Sequence, residues 1–126
     1  MRTMVQFLVG GAAYCLPVED TRAVRSAAGM IALPAPGPNV AGLLPGDPPL
    51  TVLSPFGSDG KHIIVMQTAD VRYGLLVEGV TGLRRIDEAD IRAAPRGQDQ
   101  ELICGSINID GQLVLLTDPT AVAAGI

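Results

Sequence analysis

The apolar positions of this chain fall in short runs cut by glycine and proline. Residues 4–9, 14–17, 50–53, 63–67, 73–77, 102–107 and 113–116 each read as a β-strand. Strands this short, separated by turn residues, predict an all-β sandwich or barrel. Asp110-Gly111 lies between two of the runs. It predicts a two-residue hairpin, because the turn whose twist matches the strands needs positive φ at both central positions. Gly57-Ser58-Asp59-Gly60 predicts a flexible connection near the middle. Two segments carry a helical pattern instead. Over residues 18–27 the apolar stripe Val18, Thr21, Val24 recurs every third position, and Glu19 and Asp20 occupy a first turn where the helix dipole favours acids. Residues 119–124 form a shorter candidate, with Asp118 as N-cap and Gly125 as stop.

The same pattern occurs twice. Tyr14-Cys15-Leu16-Pro17-Val18-Glu19 aligns with Tyr73-Gly74-Leu75-Leu76-Val77-Glu78 at an offset of 59 (73 − 14). Val24 then faces Leu83, and Arg25 coincides with Arg84. Gly42 and Asp47 match Gly105 and Asp110 at an offset of 63 (105 − 42), and residues 50–54 lie against 113–117. Two matches in the same order predict a pseudo-repeat, with halves at roughly 14–56 and 62–126 and an N-terminal strand free to cross between them. A unit of about sixty residues is marginal alone, since it buries a small share of its surface. The expected architecture is therefore one domain, residues 1–126, in which two small barrels share a seam.

Composition narrows the functional classes. Of 126 residues 48% are hydrophobic but only 3% aromatic, so the core must be aliphatic. No apolar run is long enough to span a bilayer and no signal-like N-terminus precedes one, which predicts a cytoplasmic protein without direct membrane insertion. The net charge is −4 and the longest basic cluster is Arg84-Arg85, which argues against nucleic acid as a partner. Cys15 and Cys104 read as reduced thiols, and with the single His62 they are too few to ligate a metal.

Catalytic equipment is sparse. Nucleophile-elbow, P-loop, dinucleotide and two-histidine zinc motifs do not occur. Gly10-Gly11 lies between strands, without the helix that phosphate binding needs. Cys15 and Cys104 lie in strand-like runs, and His62 follows Lys61 in a polar stretch, so a Cys–His nucleophile is not expected. Glu19 and Glu78 hold equivalent places; they read as strand-exit acids rather than a carboxylate pair. These observations predict no catalytic residues, no cofactor and no metal. Binding surface remains: Arg25, Arg84 and Arg85 as a candidate rim, and the loop at residues 31–38, whose Ile31 and Leu33 are expected to tuck into the barrel or edge a groove for a partner helix.

Residues 11–24, Leu33-Pro34, Val40-Ala41-Gly42-Leu43-Leu44, residues 73–83, Ile91-Arg92-Ala93-Ala94-Pro95 and the stretch from Cys104-Gly105 to Thr117-Asp118 together resemble the CheW-like domains of bacterial chemosensory arrays. The resemblance spans nearly the whole chain and rests on order and spacing. It implies two intertwined five-stranded β-barrels with one or two short helices. It also implies an adaptor that couples the cytoplasmic tips of methyl-accepting chemoreceptors to a CheA-type histidine kinase. By position, Val18, Thr21, Val24, Gly42, Leu43 and Leu44 would line the receptor groove. The chain departs from the family at residues 45–61. The usual Asn-Leu-Arg-Gly is replaced by Pro45-Gly46-Asp47, the helical connection between halves is largely missing, and Ala23 stands where many members carry a glutamate that can face the lost arginine. This implies a divergent coupler that keeps receptor binding and binds kinase poorly. A β-barrel ligand-binding module or a thiol enzyme outside chemotaxis are the competing classes.

Overall fold

The chain is described by a computed structural model over residues 1–33, 39–57, 59–97 and 101–124. Each apolar run becomes a strand: β1 (Arg2–Val9), β2 (Ala12–Pro17), β5 (Leu50–Leu53), β6 (His62–Thr68), β7 (Val71–Val77), β9 (Ile103–Ile109) and β10 (Gln112–Thr117). Three further strands complete the described set: β3 (Thr21–Ser26), β4 (Val40–Leu44) and β8 (Gly79–Ile86). The Asp110-Gly111 hairpin forms with φ of 52° and 83°. Helix α1 (Pro119–Ala123) forms where predicted, its Asp118 carboxylate accepting from the amides of Thr120 and Ala121. Gly125 and Ser58 lie outside the described residues.

The helix expected over residues 18–27 is absent. A single 3₁₀ turn, Val18–Asp20, leads directly into β3, which pairs antiparallel with β6. The spacing of Thr21 and Val24 has a different cause. Thr21 faces Met66 and Val24 faces Ile64, with the register stepping between Thr21 and Ala23. That bulge inserts one residue into a period of two. Positions three apart therefore share a strand face, as they would share a helix face. The device recurs in β8: Val80 faces Phe7 and Leu83 faces Val5, across a register step at Gln6/Phe7.

Two five-stranded sheets result, in the orders β8-β1-β2-β10-β9 and β3-β6-β7-β5-β4. The second repeats the first with every strand replaced by its pseudo-repeat counterpart. The sheets do not follow the sequence halves. The second is contiguous, β3 to β7, while the first combines the N-terminal hairpin with β8, β9 and β10. The chain crosses between them just after each Tyr-x-Leu-x-Val-Glu motif, at Val18–Asp20 and at Glu78. Among the described residues barrel closure is not reached, since neither sheet pairs its first strand with its last.

The alternating faces of these strands build three cores. Ile64 and Met66 of β6, Tyr73, Leu75 and Val77 of β7, Phe7 of β1 and Leu16 of β2 meet in the seam between the sheets. Ile63, Val65 and Leu76 point the other way, into the second sheet's own core with Leu44 and Val52. Met4, Cys15, Ile107 and Val114 do the same in the first. Strands buried on both faces explain why these runs are continuously apolar rather than alternating. Three of the four aromatic residues stack in the seam: Tyr14 lies 5.4 Å from Phe7 and 4.4 Å from Phe56 between ring centroids. Buried Tyr73 donates to the Pro119 carbonyl at 2.8 Å and so ties α1 to the seam.

Candidate functional site

The six candidate residues fall in two segments, the crossover turn with β3 and the strand β4. Val18 is half-buried in the crossover turn, and Thr21 opens β3, its hydroxyl donating to the Pro17 carbonyl at 3.2 Å. Val24 stands on the same face of β3 and is 47% exposed. Gly42, Leu43 and Leu44 lie on β4, the opposite edge of the same sheet. Ala27 and Met30, in and after the 3₁₀ turn that follows β3, pack with Leu44 in the second core, so one continuous path links the two segments. Leu44 is buried and Gly42 lies beneath the Ile31 backbone. Of the three candidates on β4, only Leu43 contributes partly exposed surface.

Two surface residues were not among the six. Ile31 does not tuck inward: it is 56% exposed and exchanges two backbone hydrogen bonds with Leu43, at 2.7 and 2.9 Å. Its backbone is engaged along β4, which leaves the side chain outside. Leu33 is half-buried, and Pro34, Pro36 and Pro38 of that loop lie outside the described residues. Leu83, the repeat counterpart of Val24, is 64% exposed on β8. The repeat alignment carried the signal for Leu83; the proline-rich surroundings of Ile31 hid its pairing.

The charged rim is unequal. Arg84 donates to Gln6 Oε1 at 3.0 Å and lies 4.0 Å from Asp110. Arg25 has neither contact. Glu78 accepts the Gly10 amide at 2.9 Å and so closes the β1–β2 hairpin, whereas Glu19 sits in the crossover turn with its backbone carbonyl bound by Arg22. Each acid marks a strand exit.

The potential nucleophiles are placed apart. Both cysteines lie in the first sheet, whereas His62 starts β6 of the second. Among the described residues no three His, Cys, Asp or Glu side chains cluster as metal ligands. No described helix is long and apolar enough to cross a membrane. Burial pushes the Cys15 thiol up to about 12, reinforced by Cys104 and opposed by Arg2. A raised thiol pKa favours the neutral folded form. Stability from this group is present below its ordinary 9.0 and is lost as pH climbs toward 12. At pH 8, maleimide should label exposed Cys104 and spare Cys15 until the chain unfolds. Equal labelling of both in native protein would contradict this burial.

The comparisons with known proteins agree with this geometry. The CheW-like domain family model matches residues 43–125, which is 83 of the 126 positions (125 − 43 + 1). A search of curated proteins finds no match. Among solved structures, the scaffolding protein TtCheW from Thermoanaerobacter tengcongensis is similar, with a TM-score of 0.83 at 20% identity over 94% of this chain and 84% of that one. The family match covers about two thirds of the sequence and the shared fold nearly all of it: the chain belongs to the CheW-like domain family.

Proposed function

We propose that this protein is a non-catalytic chemosensory adaptor. It receives the helical tip of a chemoreceptor on the apolar surface at Val18, Thr21, Val24 and Leu43, and couples it to a CheA-type histidine kinase. The observation that carries the reading is Val24. An aliphatic side chain 47% exposed on an edge strand, on the face that otherwise builds the seam, is a surface suited to a partner's apolar stripe. Ile31, 56% exposed and bound to Leu43, extends it.

The rewritten turn between β4 and β5 supports the narrower reading that kinase coupling is weakened. Residues 45–49 are all exposed, and three of the five are prolines, which remove backbone donors from any interface built there. Calorimetry with a purified receptor signalling domain and a purified kinase regulatory domain tests both readings. Receptor binding should be measurable and kinase binding weak or absent. Val24→Asp should cost receptor affinity about ten-fold or more while leaving the unfolding midpoint within the range of surface substitutions, since a charge then enters an apolar contact. Tight kinase binding without receptor binding overturns the proposal, and unchanged receptor affinity in Val24→Asp removes Val24 from the surface.

A further inference from the structure

A second site lies at the mouth of the second sheet's core. Arg25 faces Ile63 across the β3–β6 ladder, and Arg72 faces Gln67 across β6–β7. Ile63, Val65 and Gln67 alternate on one face of β6, the face whose apolar members line that core. Both guanidinium groups therefore project from the same side of the sheet, and they line a cleft of about 230 Å³ whose buried wall is Leu44 and Leu50. The turn between β4 and β5 forms the opposite wall.

Neither guanidinium group has an ion-pair or hydrogen-bond partner among the described residues. The corresponding places in the first sheet differ. The counterpart of Arg25, Arg84, is held by Gln6 and Asp110. At the same offset the counterpart of Arg72 (72 − 59) is Ala13. A chain of net charge −4 thus keeps two unpaired cations together at one cleft.

We infer that this cleft binds a carboxylate side chain carried on an extended, partly apolar segment of a partner protein. Charge and shape both select that ligand. Asp47 also lines the cleft, so Arg25, Arg72 and Asp47 sum to +1, which one carboxylate neutralises and a phosphate dianion overshoots. Phosphate cradles rely on converging backbone N–H groups, whereas three of the five turn residues are prolines with none to offer. The prolines and the two leucines suit aliphatic neighbours of an acid instead. The site shares no residue with the receptor surface proposed above and does not depend on that reading.

A titration of ¹⁵N-labelled full-length protein with an acetylated, amidated Ala-Leu-Glu-Leu peptide tests it. Saturable shifts are expected at the amides of Gly46, Asp47 and Arg72, weakening as salt rises. The Ala-Leu-Gln-Leu peptide and inorganic phosphate should give none. The double variant Arg25→Glu/Arg72→Glu changes two exposed side chains, and it should lose about ten-fold in affinity or more. If that variant fails to fold, Arg72→Gln alone should still weaken binding. Equal binding of the glutamine peptide, comparable binding of phosphate, or shifts that bypass the turn would each overturn the assignment.

Discussion

Gly42→Ala is expected to destabilise the protein by about 2–3 kcal/mol, although Gly42 sits near a strand edge. A Cβ at this position runs into the Ile31 carbonyl oxygen and lies 3.1 Å from the carbonyl carbon. The obstacle is backbone, and that backbone is held by two hydrogen bonds to Leu43. Relief requires Ile31 to lift off β4, so overpacking at about 1–3 kcal/mol is joined by loss of bonds worth about 1 kcal/mol each. Gly105 is the control. Its Cβ would lie 3.0 Å from Ile91 Cγ2 and 3.1 Å from the Arg92 carbonyl, and a methyl group can yield by a few tenths of an ångström. Gly105→Ala should therefore cost less than about half as much. Urea unfolding of the two variants decides it, and equal midpoints would refute the close-approach explanation. The result also bears on function: a Gly42 variant that loses a partner has first lost the Ile31–Leu43 bridge.

That pair of glycines shows what the sequence made legible. The repeat placed Gly42 opposite Gly105, and the structure supplies the reason: each lies under a bridging residue, Ile31 on Leu43 and Arg92 on Ser106. The seven apolar runs were readable as strands because burial on both faces leaves little polar residue within them. The Tyr-x-Leu-x-Val-Glu motif was readable as a repeat, but its role as the strand that precedes each sheet crossing was not, since pairing across a seam leaves no local trace. The three-residue spacing of Thr21 and Val24 misled for a definite reason. A bulge changes the face period of a strand from two to three at one point, and three is also a helical spacing. The pairing of Ile31 was hidden because a single bridge has no run of residues to reveal it. The difference between Arg25 and Arg84 was likewise invisible, because it depends on Gln6, which reaches Arg84 only through the β1–β8 pairing.

Ile64→Ala should cost about 2–4 kcal/mol and lower the stability of both sheets together. Ile64 is fully buried and belongs to the seam, where side chains from β1 and β2 meet those from β6 and β7. Truncation there removes contacts that hold one sheet to the other. Its neighbour Val65 points into the second sheet's own core, so Val65→Ala offers a comparison one residue away on the opposite face. The topology predicts the same outcome for both. The chain passes between sheets after β2 and again after β7, and the β3–β6 and β8–β1 ladders lock those passages in place. Neither sheet can separate without unzipping a ladder of the other. Each is also a small unit, marginal by itself because it buries a small share of its surface. Unfolding should then be a single cooperative transition, with amides of β2 and β7 exchanging at the same global free energy in the parent chain and shifting in parallel in both variants. Hydrogen exchange distinguishes the cases directly. If Val65→Ala lowered protection in β7 and left β2 unchanged, the two sheets would be separable folding units, and the seam would be a docking surface instead of a shared core.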